Sequence, residues 1–197
     1  MLLTGEQRQG AVEQTYGMQQ QRASVVSLEL LLDSGLEASI RAQWQALAGA
    51  GFSSLAAHTA SSNRPHITLV VRPLIRWMTR PELNAVLSLP LELEIGDPIL
   101  FGEGERRVLA RSVSPTPSLL DFHASLYTLI GESVEDAPHT RPGEWVPHIT
   151  LARRIRQADI PEALRLIDDA RSSSSTMPTA TSLRRWDAES ATITELL

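Results

Sequence analysis

One pentapeptide, Pro-His-Ile-Thr-Leu, occurs twice in the chain, at residues 65–69 and 147–151. Each copy has the length and apolar content of a short β-strand, with a His and a Thr two positions apart. Because side chains alternate across a strand, the His and the Thr of each copy project from one face and the Ile and the Leu from the other. The repeat therefore predicts two equivalent strands, each offering one imidazole and one hydroxyl on a shared face.

A similar order of elements surrounds the two copies, which begin 82 residues apart. Apolar spacing predicts a strand at about 24–32 and a helix at 35–48 before the first copy. Before the second copy it predicts a hairpin at 98–113 and a helix that starts at Thr116 or Ser118 and whose apolar stripe runs to Leu129. A helix at 160–171 and two strands follow the second copy. We therefore predict an α+β fold with two pseudo-symmetric lobes, each a mainly antiparallel sheet with outer helices, and with the two repeat strands facing a central cleft.

Length and composition favour one soluble domain. Residues 1–23 are rich in Gln and predict a polar N-terminal extension, and residues 24–197 predict a single bilobal domain. This extension lacks the apolar core of a signal peptide, and no apolar run approaches the length of a membrane span. We expect a cytoplasmic protein, a monomer, with no membrane partner.

Charge and residue usage exclude several classes of function. The net charge of −5 argues against a general nucleic-acid coat but not against a site for one nucleotide or one RNA end. The chain has no cysteine, which excludes thiolate catalysis and cysteine-ligated zinc. All 18 basic residues are Arg, so Schiff-base chemistry and a P-loop lysine are excluded as well.

The repeated His and Thr are suited to phosphodiester chemistry. Two imidazoles across a cleft can remove one proton and supply another, because His titrates near neutral pH. The two Thr hydroxyls can hold the nonbridging phosphate oxygens. Since zinc prefers three or four protein ligands and Thr is a poor one, we predict neither a metal site nor another cofactor.

This pair of motifs, at residues 66–68 and 148–150, resembles the 2H phosphoesterase superfamily, and within it the 2′-5′ RNA ligase-like branch, also described as RNA 2′,3′-cyclic phosphodiesterases. The second motif continues to Arg153 in a form similar to the HxTLxR pattern of that branch. The resemblance covers the layout of residues 24–197. It implies four catalytic residues, which are His66, Thr68, His148 and Thr150.

Three further residues are candidates for substrate binding. The resemblance makes Arg153 a phosphate or base contact, but simple alternation puts it on the face opposite His148, so a bulge or strand end would have to re-aim it. Phe101 and Trp145 could stack a nucleobase, as could Trp77. The alternatives are a surface arginine that closes a strand and aromatic rings that pack in the core. The remaining histidines, His58, His123 and His139, are predicted to lie outside the site.

The resemblance implies a hydrolase of cyclic phosphodiesterase or 2′-5′ RNA ligase-like type. Its expected substrates are 2′,3′-cyclic phosphate ends of RNA or nucleotides, cleaved without metal by two-histidine acid/base catalysis, with 2′-5′ ligation as the reverse reaction. One alternative is a phosphodiesterase for small nucleotides such as ADP-ribose cyclic phosphate or 2′-5′ oligonucleotides. Another is a nucleotide- or RNA-binding module without turnover.

Overall fold

A computed structural model describes residues 25–60, 62–171 and 177–197, and within these ranges eight strands form one antiparallel sheet. The strands are β1 (Val26–Leu32), β2 (His66–Arg72), β3 (Leu91–Glu92), β4 (Ile95–Phe101), β5 (Arg106–Val113), β6 (His148–Arg156), β7 (Thr179–Asp187) and β8 (Thr192–Glu195). The α-helices are α1 (Ser34–Gly49), α2 (Arg80–Asn84), α3 (Pro117–Ile130) and α4 (Ile160–Asp169). The polar extension predicted at 1–23 lies outside the described residues, as do residues 172–176, which follow the helix predicted at 160–171.

Local signals account for where the two longest helices begin. The Asp33 side chain accepts a hydrogen bond of 2.9 Å from the backbone N–H of Leu36 and so caps α1. Thr116 caps α3 through its side chain, and Pro117 lies in the first turn, where its missing N–H costs nothing. The predicted apolar stripe of α1 is buried, and its members are Leu36, Ile40, Trp44 and Leu47.

The predicted hairpin consists of β4 and β5. Its turn contains Gly102 at φ +81° and Gly104 at φ +79°, a backbone region that glycine adopts without the steric penalty of a Cβ atom. The turn therefore ends β4 at Phe101 and sends the chain back along the sheet.

The strands follow the order β3-β7-β1-β2-β6-β5-β4, with β8 paired to β7. The two repeat strands, β2 and β6, are thus neighbours at the centre. A unit of strand, helix and repeat strand occurs twice, as β1–α1–β2 and as β5–α3–β6. The predicted α+β class and pseudo-symmetric arrangement are confirmed, with the difference that both halves belong to one continuous sheet.

The two halves are joined by a minimal ladder. Strands β2 and β6 share one pair of backbone partners, Ile67 and Ile149. We call this boundary the seam. Because backbone carbonyl groups in a folded protein need hydrogen-bond donors, a ladder of one step must be supplemented by other groups.

Two indoles supply these donors on either side of the seam. The Nε1–H group of Trp145 donates to the carbonyl of Thr68 at 2.9 Å, and that of Trp44 donates to the carbonyl of Thr150 at 3.0 Å. The imidazole of His123 adds a contact of 3.1 Å from Nε2 to the carbonyl of Leu69. Each repeated threonine is therefore fixed through its backbone from the buried face of the sheet.

A β-bulge follows the threonine of the first copy. Thr68 pairs with Glu29 on β1, and the next pair joins Val70 to Leu28, so Leu69 is the extra residue on β2. An extra residue reverses the alternation of faces beyond it. Leu69 and Val70 are consecutive and fully buried, as this reversal requires.

The second copy contains the equivalent bulge. Thr150 pairs with Ala110 on β5, and the next pair joins Ala152 to Leu109, so Leu151 is the extra residue on β6. The repeated pentapeptide thus ends at the bulge in both strands. The side chains that directly follow it, Val70 in β2 and Ala152 and Arg153 in β6, face the opposite way from what uninterrupted alternation predicts. In β6 a second shift of register before Ile155 restores the original alternation, and Ile155 is buried.

Candidate active site

The two His-x-Thr motifs, which we call the first motif (residues 66–68) and the second motif (residues 148–150), meet at the seam. Since Ile67 lies opposite Ile149 in an antiparallel pair, the histidine of each motif lies beside the threonine of the other. Diagonal neighbours in such a pair are about 7–8 Å apart, which leaves room for a phosphate between the two imidazoles. Partial exposure is common to all four side chains, His66, Thr68, His148 and Thr150.

Both imidazole rings are held in the same way. The Nδ1 atom of His66 lies 2.7 Å from the carbonyl oxygen of Arg64, and that of His148 lies 2.8 Å from the carbonyl oxygen of Val146. A carbonyl oxygen can only accept a hydrogen bond, so the proton lies on Nδ1 in both rings. Nε2 is therefore the nitrogen of each ring that can exchange a proton with a substrate.

The surroundings of His148 favour its neutral form. Burial lowers the pKa of His148, and the nearby His139 and His66 lower it further, while the hydrogen bond to Val146 opposes them. The ring of Phe101 lies 4.6 Å from the His148 ring, measured between centroids, and shields one side of it. A neutral imidazole with its proton on Nδ1 presents a lone pair on Nε2, which can accept a proton.

A cavity of about 400 Å³ opens beside the first motif. Its walls include His66 and Thr68 of that motif, Arg153 of β6, and Arg184 and Trp186 of β7. A larger cavity of about 670 Å³ lies against α1 and the end of α4 and contains none of the motif residues. The chemistry of the lining, and not the volume, assigns the smaller cavity to the first-motif side of the candidate site; His148 and Thr150 of the second motif are not among its lining residues.

The bulge in β6 turns Arg153 toward this cavity. Without Leu151 as an extra residue, Arg153 would share the buried face with Ile149. It is instead exposed and lines the cavity together with His66, and the Ser53 hydroxyl donates a hydrogen bond to its backbone carbonyl. The requirement that a bulge re-aim this arginine is met.

The predicted aromatic contacts divide into two groups. Phe101 lies at the site, against His148. Trp145 does not: it is 9% exposed, stacks on His123 at a centroid distance of 4.0 Å, and donates to the Thr68 carbonyl beneath the sheet. The buried position of Trp145 contradicts the prediction that it stacks a nucleobase. Trp145 instead supports the backbone of the first motif. Trp77 is 61% exposed and is not part of the cavity lining.

Sequence reasoning missed a carboxylate in the wall of the cavity. Oε1 of Glu29 lies 3.7 Å from Nε2 of His66 and accepts a hydrogen bond of 2.6 Å from the Ser27 hydroxyl. Oε2 of Glu29 accepts a hydrogen bond of 2.7 Å from Nε of Arg184. The spacing of Ser27 and Glu29, two positions apart on a predicted strand, is the same signal that identified the repeated motifs. His58, expected outside the site, also lines the cavity.

The described residues contain no group of three or more His, Cys, Asp or Glu side chains that could hold a metal ion. None of the helices in the described ranges has the length and apolar character needed to cross a membrane. The polar side chains that the described residues bring to the two motifs and the cavity include imidazoles, two threonine hydroxyls, the Glu29 carboxylate and the guanidinium groups of Arg153 and Arg184.

The chain is similar to known proteins both in structure and in sequence. Two solved structures of Usb1 from Kluyveromyces marxianus, one of them with uridine monophosphate, are similar to the chain at a TM-score of 0.45 and at 15% and 12% sequence identity. Both alignments cover 88% of this chain and 98% of the other. None of the curated proteins compared with the chain matches it. The family model of the 2′-5′ RNA ligase superfamily matches residues 36–190, more than half of the sequence, and the chain therefore belongs to this superfamily of 2H phosphoesterases.

Proposed function

We propose that the protein is a metal-independent phosphodiesterase that opens 2′,3′-cyclic phosphate ends of RNA or nucleotides. The observation that carries this proposal is the matched pair of imidazoles at the seam, each with Nδ1 bound to a carbonyl and Nε2 available. An enzyme that cleaves a phosphodiester needs one group to accept a proton and another to supply one. Two equivalent imidazoles on either side of a phosphate fulfil both requirements.

The reaction is a hydrolysis in which all atoms are supplied by water and substrate. One Nε2 atom removes a proton from water as the water oxygen forms a bond to phosphorus. The bond from phosphorus to the 2′ or the 3′ oxygen breaks, and the other Nε2–H group donates its proton to that leaving oxygen. The product is a nucleotide with one monoester phosphate. In 2′-5′ ligation the hydroxyl of a second nucleotide would take the place of water: its oxygen bonds to phosphorus, one Nε2 removes its proton, the bond to the 3′ oxygen breaks, and the other Nε2–H protonates that oxygen.

Thr68 and Thr150 stabilise the phosphate during this exchange. Their hydroxyls lie on the same face as the imidazoles and can donate to the nonbridging oxygens, whose charge must be held in the transition state. Arg153 is the cationic side chain that the bulge brings to the cavity, and we assign it to the phosphate as well.

The size of the cavity and the charge of the chain limit the substrate. A cavity of about 400 Å³ has the volume of a pocket for one small ligand. The net charge of −5 does not favour a long RNA bound along its backbone. We therefore expect a terminal nucleotide or a free nucleotide at the site, which keeps small cyclic nucleotide phosphates, ADP-ribose cyclic phosphate and 2′-5′ oligonucleotides as the second candidate class.

The proposal is tested with purified protein and a panel of substrates. The panel contains 2′,3′-cyclic nucleotides, short RNAs that end in a cyclic phosphate, 2′-5′ dinucleotides and ADP-ribose cyclic phosphate, with product isomers separated by chromatography. We expect His66→Ala and His148→Ala each to lower turnover by about 10²–10⁴-fold, the usual contribution of a general acid or base. Activity in excess chelator is expected to equal activity without it.

Thermal melting of each variant shows whether it is folded, and Glu162→Gln, on the exposed surface of α4, serves as an active control. Wild-type turnover in either folded histidine variant would refute the assignment. Tight nucleotide binding without any product would favour a binding module instead. Loss of activity on chelation that is restored by a metal ion would refute the metal-free mechanism.

A further inference from the structure

The two motif histidines occupy equivalent positions but have different neighbours. Glu29 is the residue of β1 that pairs with Thr68, and Ala110 is the residue of β5 that pairs with Thr150. The same pseudo-symmetry that relates the two motifs therefore relates Glu29 to Ala110. A carboxylate accompanies the first motif at the place where a methyl group accompanies the second.

The Glu29 carboxylate is ionised and held in one orientation. Burial would raise the pKa of this carboxyl, but the charges of His66 and Arg184 and the hydrogen bonds from Ser27 and Arg184 lower the pKa below its ordinary value. Both Nε and Nη2 of Arg184 lie 2.7 Å from Oε2. The other oxygen, Oε1, lies 3.7 Å from Nε2 of His66. Arg184 thus neutralises the far oxygen, and the near oxygen faces the imidazole.

Other charged or titratable groups also face the two rings. His58, Arg153 and Arg184 line the same cavity as His66, and the charges of His139 and His66 act on His148. These neighbours of both rings are neutral or cationic, and a cation disfavours a proton on a nearby imidazole. Glu29 is the anion that opposes them, and it does so at His66.

We propose that Glu29 is a positioning residue that keeps a proton on Nε2 of His66, so that His66 acts as the acid and His148 as the base when the cyclic phosphate is opened. The assignment of acid and base rests on the proposed function, but the effect of Glu29 on His66 does not. A negative charge beside an imidazole stabilises its protonated form. The partly buried surroundings of His148, with the Phe101 ring on one side, have the opposite effect and leave its Nε2 atom as a proton acceptor.

Glu29→Gln tests this inference in two measurements. The first is the pH dependence of kcat/KM, in which the acidic limb reports the base and the alkaline limb reports the acid. We expect the alkaline limb to move to lower pH by about one unit, the lower end of the effect of a nearby opposite charge. The acidic limb should stay in place, and Glu162→Gln should give the wild-type profile.

The second measurement needs no substrate. The ¹⁵N chemical shift of Nε2 reports how much of the nitrogen carries a proton. At neutral pH we expect the His66 signal of Glu29→Gln to move toward the value of an unprotonated nitrogen and the His148 signal to stay unchanged.

Ser27→Ala extends the test should Glu29→Gln fail to fold. This variant removes the hydroxyl that donates to Oε1 and leaves more of the negative charge for His66. The alkaline limb is then expected to move in the opposite direction, to higher pH. The ion pair of Glu29 with Arg184 is made through Oε2 and does not involve the Ser27 hydroxyl, so we expect it to remain in this variant.

The outcomes separate this inference from the proposed function. An unchanged His66 signal, or an acidic limb that moves in place of the alkaline one, would overturn the inference whatever the activity. A His66 signal that responds in a protein inactive on the whole panel would support the coupling to Glu29 and overturn the phosphodiesterase assignment.

Discussion

The indole of Trp44 supports the second motif from the far side of the sheet, and its removal should be measurable in stability. Trp44 is 2% exposed, and its Nε1–H group donates to the Thr150 carbonyl at 3.0 Å. Trp44→Phe keeps an aromatic ring but leaves this carbonyl without its donor. A polar group that loses its partner in this way costs about 1–3 kcal/mol, and the smaller ring adds a loss of packing.

The assay is urea unfolding followed by circular dichroism, with thermal melting as a second measure. The melting temperature should fall by about 2–4 °C for each kcal/mol in a domain of this size. Trp77→Phe is the matched control, because Trp77 is 61% exposed and its substitution should stay within about 0.5 kcal/mol. Equal unfolding midpoints for Trp44→Phe and Trp77→Phe would refute the role of the indole at the seam.

Two further predictions concern a binding side chain and a buried histidine. Arg153→Gln should lower kcat/KM on cyclic nucleotides by about 10–100-fold, since a hydrogen bond to a charged group contributes about 1.5–3 kcal/mol. Arg154→Gln, one position further along β6, should leave the steady-state kinetics unchanged. Equal effects of the two substitutions would contradict the re-aiming of Arg153 by the bulge. Burial lowers the pKa of His123, and hydrogen bonds to the Leu69 and Thr140 carbonyls only partly offset this effect. Because the imidazole binds a proton more readily in the unfolded chain than in the folded protein, the free energy of unfolding should fall as the pH drops through about 6.5. Urea midpoints at neutral and mildly acidic pH should show a smaller fall in His123→Gln, and the same acid sensitivity in both proteins would contradict this origin.

The repeat predicted the centre of the fold because two of its properties can be read directly from the sequence: the alternation of side chains within each copy and the identity of the two copies. Alternation assigns the Ile and Leu of each copy to the core and the His and Thr to the other face, and the two copies predict two equivalent strands. The structure brings these strands together at Ile67 and Ile149. The caps at Asp33 and Thr116 were also predictable, because they depend on residues within one turn.

The parts that sequence reasoning missed depend on contacts between distant segments. The spacing of Ser27 and Glu29 is visible in the sequence, but the pairing of β1 with both β2 and β7, which brings Arg184 to Glu29, is not. The indole of Trp145 donates directly to the Thr68 carbonyl, although the two residues are 77 positions apart in the sequence. An aromatic residue next to a motif gives no sign of which face of the sheet it occupies, which is why a nucleobase contact was predicted for it.

The seam also has a consequence for how such a protein can change. Since β2 and β6 share one pair of backbone partners, the Trp44 and Trp145 rings, which donate to the carbonyls of Thr150 and Thr68 from outside the cleft, help to hold the two strands in place. Replacing either ring by one of another size would alter the reach of the reactive nitrogens without touching any group that meets the substrate. In an enzyme of this design, the separation of the two halves could thus be adjusted from behind the sheet.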